Sequence, residues 1–488
     1  MNVDRDSYRR ILGATVIMGG ATIASILIGV VRTKVFALVI GPAGIGAIGL
    51  FTSIMATAGA VGSMGLGFSG VREIAAGEER RALVRRAIWY AAWPLAFLTA
   101  AVIWLARWEI CRWVGVGPDQ ALGVGLIGIA AALSIIALIQ TAEIQGIGRV
   151  GDVAKVRVIG ALLALLLGVS AVVYLGPIGI VLAVVAIPVG NVLAALPYRP
   201  RFERVVPAGA RLTDEWRRLL SLGATIMITS SLSAGSLVAI RALLVHREGL
   251  DAAGLYQAAY AISALNASLV LSAMATDYFP RLSGMETDRS RTATVVNQQL
   301  HAALLLASPI LLAMSATAPL VLHILYSGAF TQGADLLRWQ LTGELLKLPG
   351  WALGFLLVAR ADKTRFLVVE TSFVAIFIGA AFLLLPGLGL IAAGISYALA
   401  YLLYSLLVAG ICGRRHDAAI SRENLLHLLV IGAALLALAL VGPSAPWIAA
   451  ASGLLASAAA ALHAWRHLNE IRRAPLADSS AAGGLHPE

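Results

Sequence analysis

The sequence predicts an all-α polytopic membrane protein of about fourteen transmembrane helices, and three observations predict it. Hydrophobic residues make up 59% of the 488 and charged residues 13%, too apolar a balance for an ordinary soluble fold. Apolar runs of 18 or more residues recur along the whole length, each long enough to cross a bilayer. The chain also repeats itself. Leu12-Gly-Ala-Thr-Val-Ile-Met18 and Leu222-Gly-Ala-Thr-Ile-Met-Ile228 lie 210 residues apart, and each opens an apolar helix that later carries an arginine, Arg32 or Arg241. Such a duplication implies two homologous lobes around a central cavity.

The predicted spans cover about 8–40, 45–70, 87–106, 121–145, 155–175, 178–197, 219–245, 252–276, 299–317, 334–359, 366–385, 390–411, 424–441 and 447–464. Gly41-Pro42, Gly176-Pro177, Pro386-Gly387 and Gly442-Pro443 break the apolar runs where turns are expected. The repeat pairs spans 1–6 with spans 7–12 and leaves spans 13 and 14 as an addition. Gly49-Leu50-Phe51 and Gly254-Leu255-Tyr256 extend the likeness into the second span of each half. Six is even, so both halves run in the same direction and are related by an axis along the membrane normal. The expected organisation is an N-lobe over 1–197, a basic linker over 198–218 and a C-lobe over 219–412. Two extra helices over 413–465 and a tail over 466–488 follow, and the Ala-, Gly- and Ser-rich end of the tail reads as disordered.

The first apolar run is too long for a signal peptide and is read as a membrane span. With the N-terminus inside, the segments facing the cytoplasm hold 29 of the 37 Lys and Arg residues. The positive-inside rule then places both termini in the cytoplasm. That asymmetry accounts for the net charge of +11 and argues against nucleic-acid binding. Cys111 and Cys412 fall on opposite sides in this topology and cannot pair. The loops are short, which leaves no room for a catalytic domain and disfavours a membrane glycosyltransferase or polymerase. No Walker-type phosphate loop occurs, so the chain is not expected to hydrolyse ATP.

Ile28-Gly-Val-Val-Arg-Thr-Lys-Val35 followed by Gly41-Pro-Ala-Gly-Ile-Gly46 resembles the first hairpin of Wzx-type O-antigen translocases. These belong to the multidrug/oligosaccharidyl-lipid/polysaccharide exporter superfamily. Ala275-Thr-Asp-Tyr-Phe-Pro-Arg-Leu-Ser283 and Leu337-Arg-Trp-Gln-Leu-Thr-Gly-Glu-Leu-Leu-Lys347 are similar to the enterobacterial-common-antigen lipid flippase branch. The resemblance implies a transporter rather than an enzyme, moving undecaprenyl-pyrophosphate-linked oligosaccharide from the inner to the outer leaflet by alternating access. It also implies membrane lipids, a polysaccharide polymerase and chain-length proteins as partners. Spans 13 and 14 depart from the twelve-helix members.

Such a cargo needs cations for its phosphates, a hydrated path for its sugars and an apolar gap for its tail. Arginine suits phosphate because its fork grips two oxygens and keeps its proton. Arg32 and Arg241 are the leading candidates, with snorkelling to the headgroups as the ordinary alternative for Arg32. Lys34 points to nearly the opposite face and reads as an interface snorkeller. Glu344 and Lys347, three apart on one helix face, form either a mutual ion pair or a site where Lys347 binds cargo while Glu344 titrates. Glu143 is a second candidate for coupling to H+ or Na+, or else a polar helix end. Arg281 is placed to meet the incoming pyrophosphate, or simply obeys the positive-inside rule. Asn191 and Asn266 read as helix bridges or as liners of the sugar path, and no cofactor or metal site is expected. Span 1 has no carboxylate after Asp6, which disfavours the rival reading as an exporter of cationic drugs. A flippase for the peptidoglycan precursor shares the arginine logic and stays open.

Overall fold

The computed structural model of the chain describes residues 2–78, 80–200, 212–283, 289–360 and 362–473. Much of the linker and the end of the tail fall outside them. Thirteen α-helices and three short 3-10 turns make up the described chain, with no strand among these residues. The helices are α1 (Asn2–Gly62), α2 (Leu66–Ala75), α3 (Arg81–Val114), α4 (Ala121–Gly146), α5 (Val150–Ala195) and α6 (Leu212–Ser283). There follow α7 (Arg289–Ala316), α8 (Ala318–Leu325), α9 (Ala334–Ala359), α10 (Lys363–Leu388), α11 (Ile391–His416), α12 (Arg422–Val441) and α13 (Pro446–Arg473).

Among the described residues, twelve helices are long and apolar enough to cross a membrane. Two of them are too long to be single crossings: Val16–Gly62 has 47 residues and Ile226–Leu265 has 40. A straight helix of 47 residues would extend about 70 Å, roughly twice the hydrocarbon thickness. Each is interrupted instead, by Gly41 at φ 63° and by Gly249 at φ 86°. Positive φ is open to glycine without the Cβ clash that other residues meet, so the two breaks fall where the sequence supplies it. Counting α1 and α6 as two spans each reconciles the twelve with the fourteen predicted. The chain is a multi-pass membrane protein.

By backbone packing the described chain divides into two compact units. The first comprises Met1–Ala261, Pro319–Leu336 and Asp362–Ala400. In it α4 lies at the centre, packed against α1, α2, α3 and α5. Its buried residues are mostly small or β-branched, among them Val124, Ile127, Ala130 and Ile139, so neighbouring backbones come close. The halves of α1 and α6 that follow their glycine breaks also meet. A Cβ built on Gly254 would stand 1.9 Å from the carbonyl oxygen of Pro42, and one on Gly46 would stand 2.2 Å from that of Leu250. Backbone atoms cannot step aside as a side-chain tip can. Gly254→Ala is therefore expected to lower stability by about 1–3 kcal/mol, read as a lower melting temperature in detergent; an unchanged melt would mean that the two helices separate freely.

The second unit comprises Ile262–Ala318, Leu337–Ala361 and Tyr401–Glu488. Here α7 is the hub, packed against both α12 and α13. Ser457 Oγ donates to Pro309 O at 2.8 Å, and Asn424 Nδ2 donates to Asn297 O at 2.9 Å. The two extra helices are thus bound to α7 by polar contacts as well as apolar ones. Cys111 and Cys412 are both buried, and no disulfide joins them.

Candidate functional site

The first unit carries the cations of the repeat. Arg32 stands nine residues before the break at Gly41, and Arg241 stands eight before the break at Gly249. Arg32 is half-buried, and among the described residues its guanidinium has no hydrogen-bond or ion-pair partner. Arg241 is buried at 4% exposure. Its Nη2 donates to Gln257 Oε1 at 2.5 Å, and the guanidinium lies 5.8 Å from the ring centre of Tyr256 and 5.6 Å from that of Tyr260. Tyr256 and Tyr260 stand four apart on α6 and stack with each other, which fixes both ring faces toward one cation. The Nε of Arg241 is buried without a hydrogen-bond partner, and no carboxylate pairs with the side chain among the described residues. Gln257 is itself held close to Gly49, where a Cβ would come within 2.7 Å of its Oε1. A buried guanidinium with a spare donor and no counter-charge has the chemistry to receive an anion. Lys34 is half-buried and donates from Nζ to His323 O at 3.0 Å, so it is tied to the protein.

The same unit offers an apolar cavity of about 620 Å³ lined by Ile54, Val61, Leu98, Val102, Met227 and Val238, residues of α1, α3 and α6. A second, more polar cavity of about 350 Å³ includes Ser134, Thr141, Arg157 and Asn191. Asn191 rests against Gly160 of the same kinked helix α5, where a Cβ would lie 2.3 Å from Asn191 Oδ1. The side chains of Asn266 and Arg281 lie outside the described residues.

Glu143 is 1% exposed at the C-terminal end of α4. It accepts from Arg85 Nε at 2.8 Å and from Trp89 Nε1 at 2.6 Å, and Arg199 Nε stands 3.8 Å away. Arg199 also lies over the Trp89 ring at 4.7 Å. With two guanidinia and an indole around it, this carboxylate ties α3, α4 and the segment just after α5 together. Glu143→Gln would keep the hydrogen bonds but remove the counter-ion of two arginines. A loss of about 1–3 kcal/mol is expected, checked by thermal melting; equal stability would show the arginines to be satisfied elsewhere. Nearby, Arg80 Nη2 forks onto both oxygens of Glu215 at 2.6 and 2.8 Å, joining the α2–α3 turn to the start of α6. The Glu215 carboxylate raises the Arg80 guanidinium above its ordinary pKa.

The second unit concentrates polarity on α9. Lys347 Nζ is 3.4 Å from Glu344 Oε2, and both side chains are buried. Lys347 also faces two rings, Trp351 at 4.9 Å and Tyr401 at 5.1 Å. The ion pair expected from the three-residue spacing is present. Sequence reasoning missed Arg338, which is 2% exposed and donates from Nε to Ser315 O at 3.2 Å. It also missed Gln340, fully buried with both amide atoms unpaired. Their signal was available: five polar residues, Arg338, Gln340, Thr342, Glu344 and Lys347, fall within ten positions of an otherwise apolar helix.

These features define a class: a helical membrane transporter fold with cations buried in its interior. The chain belongs to the polysaccharide biosynthesis protein family, whose model matches residues 35–334. It is similar to the lipid III flippase of Escherichia coli K12, with 26% identity over 410 residues that cover 80% of this chain and 95% of that protein. The lipid III flippase of Shigella flexneri matches with the same identity and coverage. Among solved structures, the lipid II flippase MurJ in its inward closed conformation matches with a TM-score of 0.69 at 13% identity, covering 93% of this chain and all of that one. An inward-facing multidrug resistance MATE family transporter of the MOP superfamily matches with a TM-score of 0.68 at 17% identity, covering 81% and 95%. The two solved structures share the fold. These relatives are flippases and transporters, in line with the expectation of a transporter rather than an enzyme.

Proposed function

We propose that the chain translocates an undecaprenyl-pyrophosphate-linked oligosaccharide, an O-antigen or exopolysaccharide repeat unit, from the cytoplasmic to the periplasmic leaflet. The observation that carries this reading is Arg241, buried with no carboxylate partner among the described residues and with its Nε unsatisfied. Family membership and the flippase relatives support the lipid-linked class of cargo. Arg32 and Arg241 take the pyrophosphate, and Arg281 meets it at the membrane entrance. Lys347, beside Trp351 and Tyr401, takes phosphate or sugar, since saccharide faces stack on aromatic rings. The apolar cavity on α1, α3 and α6 takes part of the polyprenyl tail.

The lobes read from the repeat rock around this cargo in alternating access, with both termini in the cytoplasm of an inner-membrane protein. Glu344 is the carboxylate nearest a binding cation, which makes it the coupling group if a proton or sodium gradient drives transport. Glu143 lies between two arginines and serves structure instead. Polysaccharide polymerase and chain-length proteins act on the exported product. A strain lacking the gene, fed a labelled sugar precursor, should accumulate lipid-linked oligosaccharide on the inner leaflet, shielded from an external probe. The intact gene should relieve the block. No accumulation together with raised sensitivity to cationic drugs would place the chain with the drug exporters instead.

A further inference from the structure

Three helices of the second unit bring four histidines together. His463 and His467, four apart, share one face of α13. His301 comes from α7 and His427 from α12. The ring centres lie 4.8 Å apart for His301 and His467, 6.0 Å for His427 and His463, 6.1 Å for His301 and His427, and 6.4 Å for His463 and His467.

The hydrogen bonds around two of these rings fix where their lone pairs are. Asn424 Nδ2 donates to Asn297, so Asn424 Oδ1 is an acceptor and takes the proton of His301 Nδ1 at 3.0 Å. His301 Nε2 is then the bare nitrogen, and it is buried without a hydrogen-bond partner. Glu423 Oε1 stands 4.0 Å away, beyond hydrogen-bond distance. Ser308 Oγ gives its proton to Leu304 O at 2.6 Å, so at 3.2 Å it accepts from His427 Nε2 and leaves the lone pair on Nδ1. A histidine whose far nitrogen is tied to an amide or hydroxyl, with the near one bare, is the arrangement that metal-bound imidazoles show. The two histidines of α13 add the four-residue helical spacing that lets a pair hold one ion.

We propose that His301, His427, His463 and His467 form a binding site for a divalent transition-metal ion of the zinc, cobalt or nickel kind, which fastens α12 and α13 to α7. Two imidazoles on one tetrahedral ion, each bound through nitrogen at about 2.0–2.1 Å, hold their ring centres about 5 Å apart. The His301–His467 separation of 4.8 Å matches that spacing, and the other three, at 6.0, 6.1 and 6.4 Å, are longer and must close on the ion. Among the described residues no three such side chains already converge at coordination distance, so the rings must turn about their side-chain bonds to take the ion. Neutral imidazoles favour these metals over magnesium or calcium, which prefer oxygen ligands.

The test uses tag-free, full-length protein in detergent, stripped of metal and titrated with Co2+ and with Zn2+. One ion per chain should bind, Co2+ should give the visible absorption of a tetrahedral nitrogen site, and Zn2+ should raise the melting temperature. His463 is exposed, so His463→Ala should fold normally; it and His467→Ala should each weaken binding by at least about tenfold. Absence of binding to the unaltered protein would overturn the proposal. So would undiminished binding by the double variant, which would make the ion adventitious. Excess Mg2+ should not compete, and competition by it would equally count against an imidazole site.

Discussion

Arg241→Ala should abolish export without harming the fold. Among the described residues the side chain makes one hydrogen bond, to Gln257, and otherwise faces the rings of two tyrosines. Burying a charge with so little compensation costs the folded state, which offsets the space that truncation opens, so stability should change little. The loss falls on cargo binding instead. Removing one side of a buried charge pair costs about 2–5 kcal/mol, which is roughly 30-fold to several-thousand-fold. Arg241→Lys should restore only part of the activity, because an ammonium cannot fork onto two phosphate oxygens. Transport assays paired with melting curves check this. A variant that loses stability in proportion to activity would make Arg241 a structural residue, and one that exports normally would remove it from the cavity.

Lys347→Ala has the second large expected effect, and in the opposite sense. Here the cation is compensated, by Glu344 at 3.4 Å and by the rings of Trp351 and Tyr401. Truncation leaves the Glu344 carboxylate buried without this partner and opens space beside two aromatic residues. The expected loss of stability is about 3–5 kcal/mol. Replacing both charges by neutral side chains of similar length, Glu344→Gln with Lys347→Met, should recover at least half of it, since no charge is then stranded. If the double variant is as unstable as the sum of the single ones, the two residues are not coupled. Export in the stable double variant separates the two roles of the pair: continued transport would leave Lys347 and Glu344 to structure alone.

Hydropathy made most of the fold legible. A bilayer demands long apolar helices, and Gly41, Gly176 and Gly249 mark where the longest ones break, while the segment predicted over 45–70 stops at Gly62 and α2 begins anew at Leu66. The buried arginine of α6 and the three-residue pair on α9 were legible for the same reason, since a charge in an apolar helix stands out. Packing was not. That α7 gathers α12 and α13 depends on contacts between residues more than a hundred positions apart, such as His301 with Asn424, which no local period records. The histidine cluster was missed accordingly: only the His463–His467 spacing is local, and it reads as ordinary polarity near a helix end. Arg338 was visible in the sequence, but nothing local says that its guanidinium is fully buried rather than reaching an interface.

The most direct test of translocation uses the purified protein in sealed lipid vesicles containing a labelled polyprenyl-pyrophosphate oligosaccharide. Its accessibility to an enzyme or reagent confined to one side is then followed over time. Vesicles with the intact protein should expose cargo from the opposite leaflet, while those with Arg241→Ala should match protein-free vesicles. Equal rates with and without the intact protein, or undiminished rates in the arginine variant, would contradict a flippase built around that cation.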